Sequence, residues 1–313
     1  MSNFWLAFNA VFPLISFCVL GMYLRKKDFL DESALTKLNK VCFKFLMPAN
    51  IFYSIVNADL GNLLNGKLIL LACVLQVVIS MISVGIALVS EKEKPRQSAL
   101  AHGILHGNII IFGSLIGTSM YGEGNIGVIS VVSAILVPFQ NMISVIVLEM
   151  FRKQSSLSLK KTAVDVASNP LVLAALIGFA LRLAGITLPK AVLSVCRDLG
   201  RCGTPMAMIS MGGLFNFSSV RSNRKALSIA TVSRLILLPL CTLPVTAWLG
   251  YRGVEFTAIM CLFMTPAATS SYPMSVVMGG DGELASQIVI STSLFSLITI
   301  FCWILLYGIL GVL

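Results

Sequence analysis

The chain has 313 residues, of which 57% are hydrophobic and only 12% are charged. About a quarter of the residues are charged in a typical soluble domain, so this composition all but excludes a water-soluble fold. Each crossing of the roughly 30 Å hydrocarbon layer takes about 20 apolar residues, so there is room for about ten crossings and for no soluble catalytic domain.

Apolar segments predict ten transmembrane helices, which we call spans 1 to 10. They cover Phe4–Leu24, Leu35–Ile55, Leu68–Val89, Ser98–Thr118, Ile126–Met150, Ala167–Leu183, Ala191–Phe215, Ala226–Leu249, Phe256–Met278 and Leu284–Leu310. Span 1 is followed, not preceded, by basic residues, at Arg25, Lys26 and Lys27, which is the reverse of a cleavable signal peptide. We therefore expect span 1 to be a permanent helix.

The net charge of +10 is concentrated in the loops after the odd-numbered spans. Those loops hold thirteen basic residues, and the alternate loops hold three. By the positive-inside rule, both termini are extracytoplasmic and the longest loop, Phe151–Val166, is cytoplasmic. The charge thus reflects topology, and we expect a multi-pass protein of the plasma membrane with the lipid bilayer, and no nucleic acid, as its partner.

Motifs for metal binding and for enzyme chemistry are missing from the sequence. The eight cysteines occur singly, without the paired spacing of a zinc site or a disulfide framework. H-E-x-x-H, G-x-S-x-G and the P-loop are not found. We expect no enzyme activity, no metal and no cofactor.

The two halves of the chain, residues 1–157 and 158–313, are related by an internal repeat. A shift of 157 positions places Pro13 on Pro170, Gly21 on Gly178, Lys40 on Arg197, Lys44 on Arg201, Pro48 on Pro205, and the turn at Tyr121-Gly-Glu-Gly-Asn close to Gly279-Gly-Asp-Gly-Glu. Because each half has five spans, the second half enters the membrane from the opposite side. Such inverted repeats are typical of secondary transporters, in which discontinuous helices hold the substrate near the midplane.

Span 9 contains the sequence Thr265-Pro-Ala-Ala-Thr-Ser-Ser-Tyr-Pro273, in which two prolines bracket polar and small residues. Each proline removes a backbone donor and clashes with the preceding turn, so a break is predicted. The freed backbone groups must then face protein or a watery cavity. Hydroxyl groups for a binding site there come from Thr265, Thr269, Ser270, Ser271 and Tyr272. The alternative is a proline kink without a ligand.

Span 4 is the repeat partner of span 9 and contains His102, His106 and Asn108. Polar groups within a membrane span are costly and are often functional. The two histidines share a helix face, which suits a proton relay or hydrogen bonding to a neighbouring helix. A metal site is disfavoured because no carboxylate or cysteine lies nearby. Asn108 is the stronger candidate for substrate binding.

Charged residues inside the spans are mostly basic. Arg197 and Arg201 share one face of span 7, Asp198 lies between them, and Arg234 lies in span 8. A positive, hydroxyl-rich cavity favours an anionic substrate, whereas cation-coupled carriers commonly need a buried carboxylate. His106, Arg197, Arg201 and Asp198 are therefore candidate contacts for a proton or an anion, although Asp198 could also neutralise its arginine neighbours.

These features together resemble the auxin efflux carrier family, which includes plant PIN carriers and bacterial malate and malonate permeases. The residues that carry the resemblance are Pro13 with Gly21, Asn169-Pro170 with Gly178, Thr204-Pro205 leading to Gly212-Gly213, Pro266 to Asp281 followed by Ser291-Thr292, and Asn108 with Gly113. The last pair matches the signature N-x-x-x-x-G-x-P, except that Leu115 replaces its proline and that Ile109 and Ile110 replace small residues. The sequence alone therefore does not require a break in span 4.

The resemblance implies an all-α membrane fold of two inverted five-helix repeats, like that of PIN carriers and bile-acid symporters, in which broken spans 4 and 9 cross. It implies a scaffold of residues 1–56 and 167–215, a moving transport domain of residues 67–151 and 226–313, and a homodimer. It also implies carboxylate substrates and an energy source in the membrane potential or a proton gradient. The implied substrate-binding residues are Asn108, Gly113, Thr265, Pro266, Thr269, Ser270, Ser271, Tyr272 and Pro273.

The leading hypothesis is thus a secondary transporter of small organic anions that works by alternating access. A sodium-coupled organic anion symporter of the bile-acid-transporter type is the nearest alternative. A membrane sensor or partner subunit that transports nothing is the alternative from another class.

Overall fold

In a computed structural model of the protein, residues 3–57, 65–122, 127–152 and 168–313 are described. Residues 153–166 of the longest predicted loop and residues 123–125 of the repeated turn lie outside these ranges. The described chain is helical and has no strand, apart from one isolated bridge between Gly107 and Ala267. The expectation of an all-α fold is confirmed for this part of the chain.

Fourteen α-helices are described, and two π-helical turns, Cys42–Leu46 and Ser233–Leu237, join α2 to α3 and α10 to α11. The helices are α1 Asn3–Lys26, α2 Glu32–Val41, α3 Met47–Val56, α4 Gly66–Ser90, α5 Lys94–Leu105, α6 Ile109–Tyr121, α7 Gly127–Met150, α8 Pro170–Leu183, α9 Lys190–Gly213, α10 Arg224–Val232, α11 Leu238–Trp248, α12 Gly253–Met264, α13 Ser271–Val277 and α14 Gly282–Ile309. α4, α7, α10 with α11, and α14 are long and apolar enough to cross a membrane.

The π-helical turn in span 8 follows from a proline. Pro239 has no N–H and cannot donate to the carbonyl of Leu235, four residues earlier, and its ring crowds that carbonyl. The helical turn here contains one extra residue, so the N–H of Leu238 donates to the carbonyl of Ser233, five residues earlier. The freed Leu235 carbonyl accepts a 2.9 Å hydrogen bond from the Trp303 indole. Span 8 is therefore locally distorted where a uniform helix was predicted.

Glycines allow close packing between the helices of the predicted scaffold. A Cβ atom on Gly21 of α1 would collide with the Ile209 carbonyl of α9, and one on Gly212 would collide with the Cys18 carbonyl. α3 packs against α8 and α9 in the same way, with Gly200 against the backbone of Asn50. Small residues at helix contacts are typical of membrane proteins, because they bring backbones close together.

The shorter helices α5 and α12 form the centre of the other group of helices. Every residue from Gln97 to Leu105 and from Phe256 to Met264 is buried. α4, α7 and α14 pack around α5, while α6, α7 and α11 pack around α12. A helix that is buried on all sides belongs in the protein interior and not at the lipid surface.

Two polar contacts at the ends of these central helices are related by sequence position. Asn65, which caps α4, donates a 2.7 Å hydrogen bond to Glu255 at the start of α12. Asn223, at the start of α10, accepts a 3.0 Å hydrogen bond from Arg96 at the start of α5. Asn65 and Asn223 are 158 positions apart, close to the predicted repeat shift.

Candidate functional site at the crossing of two interrupted helices

Spans 4 and 9 are both interrupted, and their interruptions lie against each other. α5 ends at Leu105 and α6 begins at Ile109, while α12 ends at Met264 and α13 begins at Ser271. The Asn108 N–H donates to the Pro266 carbonyl at 3.0 Å, and the Ala268 N–H donates to the His106 carbonyl at 2.9 Å. The backbone groups that each break frees are thus paired with the other break, as a buried segment requires.

The break in span 9 is the one that the prolines predict. Thr265 is extended, with φ −73° and ψ 152°, as expected for a residue that precedes proline. The next free donor, the Ala267 N–H, bonds the Thr292 hydroxyl of α14 at 3.2 Å. Helix α12 is therefore followed by a short extended segment that hydrogen-bonds both the break in span 4 and α14.

The break in span 4 occurs although the sequence does not require it. His106 is extended, with φ −101° and ψ 103°, and no proline lies within the break. A Cβ atom on Gly107 would collide with the guanidinium group of Arg234 and with the Leu262 carbonyl. Glycine at this position leaves room for a buried cation at the crossing. The helix is interrupted here although Leu115 stands where the family signature has proline.

Arg234, from the π-helical turn of span 8, is that cation and is fully buried. Its Nε donates to the Thr265 carbonyl at 2.7 Å, and its Nη2 donates to the Leu262 carbonyl at 2.9 Å. Its Nη1 donates to the Ile104 carbonyl of the other interrupted span at 3.2 Å. A helix carboxyl end carries unsatisfied carbonyls and partial negative charge, so one guanidinium group stabilises the ends of α5 and α12 together.

Gln76 of α4 binds the same helix end from the other side. Its Nε2 donates to the Leu105 carbonyl at 3.2 Å, and its Oε1 accepts from Gln140 of α7 at 2.9 Å. Gln76 and Arg234 are 158 positions apart, so one polar residue in each half supports an interrupted helix.

The two histidines form a buried hydrogen-bonded chain. His102 Nε2 lies 3.1 Å from His106 Nδ1, and His102 Nδ1 lies 3.3 Å from the Ser275 hydroxyl of α13. The shared face predicted from their spacing thus brings them into contact. Among the described residues, no group of three His, Cys, Asp or Glu side chains could hold a metal ion.

A cavity of about 80 Å³, which is partly open to the outside, lies against the crossing. α3 and α9 form one wall, and both interruptions, the start of α6 and the middle of α7 form the other. Its polar lining residues are Asn50, Ser54, His106, Asn108, Asn141, Thr204, Thr269 and Ser270. The described lining includes no Asp, Glu, Lys or Arg, and the fixed charge of Arg234 lies immediately behind Gly107.

Comparison with known proteins identifies the family. The model of a family described as membrane transport protein matches residues 6–304. The chain belongs to this family. It is the auxin efflux carrier family, so the resemblance seen in the sequence is confirmed and the protein is a multi-pass membrane transporter.

Two further similarities agree with membership of the auxin efflux carrier family. The chain is 22% identical over 301 residues to an uncharacterised transporter of Methanothermobacter thermautotrophicus, covering 94% of this chain and 96% of the relative. The structure resembles that of the sodium proton antiporter MjNhaP1 from Methanocaldococcus jannaschii, with a TM-score of 0.60 and 12% identity over 93% of this chain and 92% of the antiporter. At that identity the second similarity indicates the fold alone.

The structure brings only some of the predicted site residues of this auxin efflux carrier family member to the cavity. His106, Asn108, Thr269 and Ser270 line it. The others lie elsewhere: Thr265 and Pro266 are in the crossing itself, Ser271, Tyr272 and Pro273 are buried in α13, and Gly113 packs near Cys261. Arg197, Arg201 and Asp198 lie outside the lining on α9, where Arg197 and Asp198 pair at 3.0 Å with side chains that are 41% and 63% exposed.

Tyr272 lies beside Ser210 of α9 and does not line the cavity. The Ser210 hydroxyl donates to the Leu35 carbonyl of α2 at 2.9 Å. Tyr272 thus joins α13 to the helices of the predicted scaffold.

Sequence reasoning gave no site role to Arg234, Gly107, Gln76 or Asn141. Arg234 was one of several basic residues within the spans, and nothing in its local pattern distinguishes it from the exposed Arg182. The available signal is the general cost of polar side chains in the middle of a span, which applies equally to Gln76 and Asn141.

Proposed function

We propose that the chain is a secondary transporter of small organic anions, with carboxylates such as malate or malonate as candidate substrates. The observation that carries the proposal is the cavity at the crossing, lined by amide and hydroxyl groups with a buried arginine behind it. Such a cavity offers hydrogen-bond donors to a carboxylate. The positive charge of Arg234 has the sign that attracts an anion.

The position of α6 adds to this preference. Ile109, Ile110 and Ile111, the first three residues of α6, line the cavity beside Asn108. The amino end of a helix carries partial positive charge and attracts anions. An anion that contacts Asn108 would therefore also lie in the favourable field of α6.

Alternating access would move a transport domain, residues 67–151 and 226–313, against a scaffold, residues 1–56 and 167–215. The close glycine packing of α1 with α9 supports a rigid scaffold, and the mutual support of the two interruptions supports a transport domain that moves as one body. The cavity lies between these groups, and α3 and α9 contribute the scaffold wall. We further propose that the protein is a homodimer in the plasma membrane and that both of its termini are extracytoplasmic.

The test is uptake of labelled carboxylates by purified protein in liposomes, with and without an imposed potential, proton gradient or sodium gradient. We expect uptake that does not depend on sodium and that Asn108→Ala reduces at least about tenfold. Sodium-dependent uptake would favour the symporter alternative. No uptake of any carboxylate under any gradient would reject the proposal and favour a sensor or partner subunit.

A further inference from the structure

Asn141, in the middle of α7, lines the cavity and is only 5% exposed. Its Nδ2 donates a 2.8 Å hydrogen bond to the Val137 carbonyl one turn earlier in the same helix. Its Oδ1 is buried and has no hydrogen-bond partner in the described part of the chain. The side chain therefore presents an unused acceptor beside the cavity.

The orientation of this amide is fixed by its surroundings. Exchanging the nitrogen and the oxygen would place Oδ1 2.8 Å from the Val137 carbonyl oxygen, and two acceptors cannot bond each other. In this orientation, the Asn141 atom that has no partner is the acceptor Oδ1. The hydroxyls of Ser54, Thr204, Thr269 and Ser270 differ, because each can donate or accept.

Asn108 also has an unpaired polar atom, which is a hydrogen-bond donor. Its Nδ2 is buried without a partner in the described chain, and Asn108 is 6% exposed at the same cavity. Leaving a buried amide group unpaired costs free energy. A ligand that hydrogen-bonds both Asn108 Nδ2 and Asn141 Oδ1 therefore gains binding free energy from each. One unpaired donor and one unpaired acceptor fit a ligand that carries both a hydrogen-bond acceptor and a hydrogen-bond donor.

We propose that the preferred substrates are hydroxycarboxylates, whose carboxylate accepts from Asn108 and whose hydroxyl donates to Asn141. This inference rests on the proposed function and specifies its substrate class. An ammonium group could also donate, but Arg234 behind Gly107 disfavours a second cation. A plain carboxylate would leave Asn141 Oδ1 unpaired, and a site built to pair a substrate hydroxyl rejects the analogue that lacks it.

The experiment compares matched substrates in proteoliposomes: lactate with propionate, and malate with succinate. The wild-type protein should take up the hydroxylated member of each pair with a kcat/KM at least about tenfold higher. Asn141→Leu has a similar volume but no acceptor, and it should bring this ratio close to one. Alanine in place of lactate tests the ammonium alternative and should be a poor substrate.

Asn39→Leu is the matched control. Asn39 of α2 is fully buried, and both of its amide atoms lack partners in the described chain, but it does not line the cavity. This variant should keep the wild-type ratio. If Asn141→Leu fails to fold, Asn141→Ser, which shortens the side chain, replaces it and should also lower the ratio.

Two outcomes would overturn the inference in distinguishable ways. Equal uptake of both members of each pair by the wild-type protein would reject hydroxyl recognition and leave the proposed carboxylate transport intact, as would an unchanged ratio in Asn141→Leu. No uptake of any of the four carboxylates would reject the proposed function and this inference together.

Discussion

Gln76 and Arg234 are separated by 158 positions in the sequence, and each donates hydrogen bonds to backbone carbonyls where an interrupted helix ends. Of the two interrupted helices, Gln76 bonds only α5. Arg234 bonds the end of α12 and also the Ile104 carbonyl of α5. Two positions separated by about the predicted repeat shift therefore have the same task, but only one of them carries a charge. This asymmetry gives the crossing a buried cation from one half of the chain, and it suggests which substitutions would disrupt it.

Replacing Arg234 with methionine should destabilise the protein strongly. The carbonyls of Thr265, Leu262 and Ile104 would lose their donor inside the protein, at a cost of about 3 kcal/mol or more in the free energy of unfolding. Arg234→Lys keeps the charge, but a compact ammonium group cannot span the three carbonyls that the planar guanidinium group bonds. Its effect should therefore be intermediate. Thermal unfolding in detergent measures both. Arg182→Met, on the exposed face of α8, is the control, and an equal loss there would contradict the argument.

Gly107→Ala should abolish the crossing geometry. The added methyl group would collide with the Arg234 guanidinium and the Leu262 carbonyl, so carboxylate uptake should fall at least about tenfold and stability by about 1–3 kcal/mol. Gly85→Ala is the matched control, because nothing lies within 4 Å of its Cβ position in helix α4. Alanine should be neutral or slightly stabilising there. Similar uptake by the two variants would show that Gly107 has no packing role.

The prolines of span 9 and Asn108 of its predicted repeat partner, span 4, indicated the two segments that line the candidate site in the structure. Helix patterns likewise predicted the helical segments, since composition and local propensity dominate in a membrane. The break at Gly107 was not predictable in the same way, because it contains no proline, and the Arg234 side chain that packs against it comes from 127 positions further along the chain. Contacts of that kind depend on tertiary packing and leave no local signal.

Tyr272 and Arg197 illustrate the same limit. Both have the chemistry of a ligand contact, but helix rotation decides which face a side chain occupies. Tyr272 points to Ser210 of α9, and Arg197 pairs with Asp198 on an exposed face. Residue type thus predicted the polar chemistry of the region, whereas the orientation of each helix determined which residues reach the cavity.

Arg96 should stabilise the junction between α5, α10 and α14. It bonds Glu91 at 2.8 Å, Asn223 at 3.0 Å and Asp281 at 3.4 Å. Arg96→Met should lower the free energy of unfolding by about 1–2 kcal/mol, a modest amount because the side chain is 24% exposed. Thermal unfolding with Arg221→Met as the control measures this. Equal melting temperatures for Arg96→Met and wild type would show that the network contributes nothing.

The contact between Tyr272 and Ser210 should bias the conformational equilibrium of the carrier. It joins α13 of the proposed transport domain to α9 of the proposed scaffold, so movement between the two must break it. Tyr272→Phe and Ser210→Ala each remove one of the two hydroxyl groups from this contact, and each should shift the equilibrium away from the present arrangement by roughly two- to tenfold.

Distances between spin labels on α9 and α13 would measure this shift in proteoliposomes. Ser210→Ala also removes the bond to Leu35, but that bond lies within the proposed scaffold. Because both substitutions act on one contact between the two groups, the double variant should shift the equilibrium no further than either single variant does. Additive shifts would mean that the two side chains act separately. An unchanged distance distribution in Tyr272→Phe would show that the contact does not hold the two groups of helices together.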